Sequence, residues 1–93
     1  MSKPYAFSLQ FDVEEDTGRI LAAFFRVRTG KPARAREFAN GSAFAHYNVR
    51  GELLGIELLG PCKITVLDKI IAREAAVKRF IHGALPREML LSA

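Results

Sequence analysis

Apolar and polar residues alternate along residues 5–13 (YAFSLQFDV). Tyr5, Phe7, Leu9, Phe11 and Val13 fall on one parity; Ala6, Ser8, Gln10 and Asp12 fall on the other. A period of two predicts a half-buried strand. Residues 14–18 are polar, end in Gly18 and predict a turn. Residues 19–28 (RILAAFFRVR) are apolar on both parities at their centre. Leu21, Ala23, Phe25 and Val27 form one face; Ile20, Ala22, Phe24, Arg26 and Arg28 form the other. Such a strand belongs inside a sheet or beneath a cover. The run Ile20-Leu21-Ala22-Ala23 tolerates helix, but aromatic and β-branched content and the flanking glycines favour strand.

Thr29-Gly30-Lys31-Pro32 predicts a turn, and residues 33–38 (ARAREF) alternate small with charged residues. Long charged side chains next to a proline are edge-strand devices. Asn40-Gly41 is a two-residue hairpin signal that leads into residues 42–59 (SAFAHYNVRGELLGIELL). These read as two strands joined by Asn48-Val49-Arg50-Gly51, a type I turn closed by a glycine with φ > 0. The turn sets Asn48 opposite Glu52, His46 opposite Leu54 and Phe44 opposite Ile56, with Leu54, Ile56 and Leu58 on one face.

Past Gly60-Pro61 the period changes. Leu67, Ile70, Ile71, Val77 and Ile81 recur at helical spacing, interrupted by Glu74 and Lys78, which leaves one helix or two. Thr65 and Asp68 match a helix-start signature, His82-Gly83 a helix end, and Pro86 the first turn of a short final helix over 86–91. The expectation is an α+β fold of one domain, residues 1–93. An antiparallel β-meander of four to five strands over about 5–59 is followed by one or two helices, within 60–93, on one sheet face.

Composition narrows the setting. A chain of 93 residues builds only a small core, for which oligomerisation is a common remedy. No apolar run approaches the ~20 residues of a membrane span. The start, MSKPYAFSLQF, lacks the apolar segment of a secretory leader. The one cysteine, Cys62, rules out an internal disulfide framework. A cytoplasmic location is the expectation. The net charge of +4 is unevenly placed: Arg19, Arg26, Arg28, Lys31, Arg34 and Arg36 share a window without an acidic residue. If the turn at 29–32 pairs its flanking strands, Arg26, Arg28, Lys31, Arg34 and Arg36 form one basic patch for nucleic acid or an acidic partner. The bland alternative is an edge strand kept soluble by charge, with Glu37 and Glu57 as neutralising partners.

Other chemistry is sparse. Asp12, Glu14 and Asp16 alternate like the opening of a calcium loop, but Thr17 and Ala23 stand where that loop needs Gly and Glu. His46, Cys62 and His82 lack zinc-type local spacing. No nucleophile–base set and no phosphate loop appear, so neither catalytic residues nor a metal or cofactor is expected. Leu85, Met89, Leu90 and Leu91 make an apolar end that caps the core or docks on a partner.

Gly30, Arg36-Glu37, Gly41, Tyr47, Gly51 and Gly55-Ile56-Glu57-Leu58 occur in the order of a bacterial family catalogued as the domain of unknown function numbered twenty-two eighty-three. About half the chain resembles it. Members often carry Asp on both sides of the tyrosine, where this chain has His46 and Asn48. The resemblance implies a β-rich fold and, from gene neighbourhoods with toxin-like proteins, an antitoxin-like role. Three functional readings follow. The first is a non-catalytic, homodimeric partner-binding module. The second is a nucleic-acid binder using the basic hairpin. The third is an enzyme whose site is assembled across a dimer, with a concave pocket at His46 or Cys62.

Overall fold

The computed structural model describes residues 5–91; the first four residues of the stretch read for a leader lie outside these. Five strands form one antiparallel sheet: β1 (Ser8–Val13), β2 (Ile20–Arg26), β3 (Arg34–Phe38), β4 (Ala43–Tyr47) and β5 (Leu53–Leu58). Helices α1 (Ile64–Ile70) and α2 (Ala75–Ala84) follow, so the α+β architecture stands and the interrupted stripe is two helices. The spatial order is β1-β2-β5-β4-β3. A hairpin, β1–β2, is thus joined edge to edge with a three-stranded meander, β3–β4–β5, and the chain crosses over between them.

The order follows from polarity. β2 and β5 carry apolar residues on both parities and lie side by side, away from the edges. β3 bears Arg34, Arg36 and Glu37 and takes one edge, as its charges predict. Consequently β2 and β3 do not pair, contrary to the basic-hairpin expectation. Two strands separate them, a distance of roughly 14 Å at ~4.8 Å per strand.

The turn at residues 48–51 forms as read. Gly51 has φ +82° and its N–H donates to the Asn48 carbonyl at 3.0 Å. The Asn48 side-chain oxygen accepts from the Arg50 and Glu52 amides at 3.0 and 2.9 Å. Beyond it the register departs from the regular ladder. Tyr47 faces Leu53 but His46 faces Gly55, so Leu54 is an extra residue in β5. Its carbonyl accepts from both the Val27 and Arg28 amides, at 2.8 and 3.3 Å. Such a bulge reverses the facing of what precedes it. Leu53, Ile56 and Leu58 join the core, and Leu54 turns to the other face. A second bulge, at Leu21 in β2, sends Ile20 inward and leaves Leu21 half exposed.

The core lies between one sheet face and the tail. Phe25, Ile56 and Leu58 from the sheet meet Leu67, Val77 and Ile81 from the helices, all fully buried. Each such side chain contributes about 1.5–3 kcal/mol by leaving water. Other local signals fail where longer-range contacts decide. α1 begins a residue before Thr65, with Lys63 as N-cap and no side-chain cap bond. Gly83 sits inside α2, and the last helical turn is a short 3-10 segment, Arg87–Met89. Asn40-Gly41 lies in a four-residue connection, because Phe38 already pairs with Ala43.

One polar clamp joins the layers. Arg28 is buried just past β2, and its guanidinium donates to the Leu53 carbonyl at 2.5 Å and pairs with Glu74 at the start of α2. The Tyr5 hydroxyl donates to the same carboxylate at 3.0 Å, and its ring lies 5.3 Å from the guanidinium carbon. Arg28 Nε is buried with no acceptor among the described residues, so the cation relies on Glu74. Removing one member of a buried pair strands the other. Glu74→Ala is therefore expected to lower stability by about 2–3 kcal/mol in urea unfolding. A loss under ~0.5 kcal/mol, the scale of a surface substitution, would show that the pair does not hold the helix to the sheet.

Candidate functional site

Side chains alternate along each strand, so the ladder registers assign every position to a face. One face meets the helices. The other carries Ser8, Gln10 and Asp12 from β1; Ala22, Phe24 and Arg26 from β2; Gly55 and Glu57 from β5; Phe44 and His46 from β4; and Ala35 and Glu37 from β3. No described helix covers this face. Its central row runs Gln10–Phe24–Glu57–Phe44–Glu37.

Phe24 occupies the middle of the open face because position 55 has no side chain. A Cβ at Gly55 would lie 2.7 Å from the Phe24 ring and 2.8 Å from the Phe25 carbonyl oxygen. The ring thus covers the gap over β5, with its centroid 6.0 Å from that of His46. His46 Nε2 is 3.4 Å from Glu57 Oε1. The bulged Leu54 adds an apolar floor, and Thr29, Gly30 and Pro32 of the crossover wall one end. Together with Arg26 these residues enclose a cavity of about 490 Å³. A half-buried aromatic floor with a carboxylate, an imidazole and a guanidinium at its rim suits recognition of an amphipathic surface.

The basic residues foreseen as one patch are dispersed. Arg26 stands on the open face, and Arg28 is buried in its ion pair with Glu74. Lys31 lies on the crossover. Arg34 and Arg36 lie on the far edge strand, opposite Tyr47 and Ala45 and so on the helix side. Arg36 rests over the Phe38 ring at 5.3 Å. Glu57 meets His46 where Arg36 was the expected partner.

At the apolar end, Met89 is buried and Leu85 packs against the core. Leu90 bridges to Cys62, and only Leu91 is half exposed. This stretch mainly caps the core. His46, Cys62 and His82 do not converge: His82 pairs with Asp68 at 2.7 Å, and Cys62 is buried in the core. Among the described residues no group of three or more His, Cys, Asp or Glu side chains could hold a metal ion. No described helix is long and apolar enough to cross a membrane.

Sequence reasoning named His46 and Glu57 but not the surface around them. Its missed signal was the second apolar parity of β2, Ala22 and Phe24, which no described helix covers. Glu74 as the partner of Arg28 was visible only as a break in an apolar stripe.

Gly55→Ala is expected to force the Phe24 ring and the β2 backbone to shift, costing about 1–3 kcal/mol. The checks are a lowered thermal midpoint and a changed Phe24 resonance in NMR; an unshifted spectrum at wild-type stability would contradict it. Burial pushes the Cys62 thiol pKa up, which reduces the thiolate at neutral pH. Iodoacetamide should therefore leave Cys62 unmodified in the native protein and alkylate it in denaturant, and rapid native labelling would contradict the assigned packing. In comparison with known proteins, the chain matches no family model, no curated protein and no solved structure.

Proposed function

We propose that the protein is a non-catalytic partner-binding module, dimeric in its working form, that engages a protein through its open sheet face. The observation that carries this reading is the row Phe24–Glu57–Phe44, which no described helix covers, flanked by Ala22 and His46. Apolar contacts on such a surface supply affinity, and the interleaved charges set the register of the partner.

Size and charge refine the reading. Five strands of five to seven residues span roughly 20 Å by 18 Å, on the order of 400 Å². A stable interface takes about 800 Å² per partner, so this face suits a transient complex or one that also uses the crossover wall. Among the described strand residues, Asp12, Glu37 and Glu57 stand on it against Arg26. Three carboxylates facing one guanidinium repel phosphate, which favours a protein with Lys or Arg at complementary positions over nucleic acid. An antitoxin-like regulatory role is what the family resemblance adds, and the open face is where a toxin-like partner would sit.

Co-purification from the native host tests the proposal. Ala22→Arg and Phe44→Asp each should weaken capture of the partner by about 2 kcal/mol, roughly thirtyfold, at unchanged folding. Arg34→Glu with Arg36→Glu should leave capture intact. Equal capture by wild type and both open-face variants would overturn the reading. Binding of labelled DNA or RNA that falls steeply with salt and is lost in the arginine variant would move the function to nucleic acid.

A further inference from the structure

The two edges of the sheet differ. β3 is guarded by charge, whereas β1 carries Asp12 as its one charged residue and is otherwise Ser8, Leu9, Gln10, Phe11 and Val13. An edge without protective charge or proline is a template for another strand. We propose that β1 is a self-association edge. In this arrangement two copies pair their β1 strands antiparallel about a twofold axis at Gln10, and two five-stranded sheets become one continuous sheet. This deepens the dimeric half of the function proposed above by naming its contact, and it leaves most of the open face free for a different partner.

The backbone supplies the first argument. The Ala6 N–H donates inward to the Val27 carbonyl at 2.8 Å, and the Glu14 N–H donates inward to the Arg19 carbonyl at 2.9 Å. The bulge between these points lies in β2, so β1 itself alternates without interruption. Even-numbered positions therefore turn their amides toward β2, and Phe7, Leu9, Phe11 and Val13 turn theirs outward. An antiparallel partner must match odd positions with odd positions to exchange hydrogen bonds with them.

Side-chain matching supplies the second argument. With Gln10 on the axis, Leu9 of one copy faces Phe11 of the other, and Phe7 faces Val13. Phe7 and Val13 are 38% and 50% exposed, and both lie three residues from Gln10. The register that bonds the backbones therefore also covers both exposed apolar side chains, on the side that carries the helices. On the open face Ser8 of one copy meets Asp12 of the other, and the two Gln10 amides meet each other. No like charges oppose. A shift that puts Asp12 on the axis opposes two carboxylates and is disfavoured.

The same operation on β3 fails. Ser42 and Asn48 bond toward β5, so Ala43, Ala45 and Tyr47 bond toward β3; the amides of Arg34, Arg36 and Phe38 therefore face inward and those of Ala35 and Glu37 point outward. Centring a twofold on Arg36 opposes two guanidinium groups. Centring it on Ala35 sets Arg34 against Arg36. A single strand buries less than a standard interface, so the pairing is expected to be concentration-dependent.

Sedimentation of the full chain should show the 10.3 kDa monomer giving way to a species of twice that mass as concentration rises. Gln10 is exposed, and Gln10→Lys and Gln10→Glu each place like charges across the axis. Each alone should weaken self-association by about fivefold or more, and an equimolar mixture should restore it. Oxidised Gln10→Cys should cross-link into a covalent dimer, whereas Arg36→Cys on the opposite edge should not. A wild type that stays monomeric, charge variants that associate as the wild type does, or cross-linking at position 36 in place of 10 would overturn the inference. Partner capture by the open face with no dimer sinks this contact alone. A dimer with no capture sinks the open-face reading alone.

Discussion

The sheet is arranged around the demand of β5 for neighbours on both edges and cover on its helix side. Leu53, Ile56 and Leu58 need the helices, while on the other face Phe24 covers Gly55 and Gly30 of the crossover lies against Leu54. Only a strand as apolar as β2 can serve as its second neighbour without stranding charge. Seating β2 there pushes the arginine-bearing β3 to the margin and forces the crossover. The dispersal of the basic residues and the uncovered central row both follow from that placement.

Where a conformation is decided within a few residues, the sequence predicts it. Asn48 supplies its own acceptor to the turn and Gly51 supplies the left-handed φ, so the reversal at 48–51 is legible from four letters. The edge position of β3 is legible from its charges. The bulges are not. Leu21 and Leu54 each shift a face by one residue, because neighbouring strands are fitted around a shared core. That requirement exists only once the strand order is known, and the strand order rests on pairing between β2 and β5.

The candidate site was half legible for the same reason. His46 and Glu57 stand out as polar residues in apolar strands, and the ladder places them on one face, 3.4 Å apart. Their aromatic neighbour Phe24 comes from a strand more than twenty residues earlier. Arg28 was grouped with other arginines by proximity in the chain, yet its carboxylate lies 46 positions away in α2. A cation in a charged run reads as surface until a distant acid is found to bury it.

The crossover also shapes how the chain reaches its native state. The β1–β2 hairpin and the β3–β4–β5 meander close over short loops, so their ladders are local contacts of low closure cost. The seam between β2 and β5 joins positions as far apart as Ala23 and Leu58, and even its nearest ladder pair, Arg26 and Gly55, closes a loop of roughly thirty residues. Until it zips, each half exposes its most apolar strand as a raw margin, and the tail has no complete floor to settle on. The β2–β5 seam thus carries the largest loop-closure cost in the sheet, and the apolar margins it leaves before pairing are of the kind that invites misassociation.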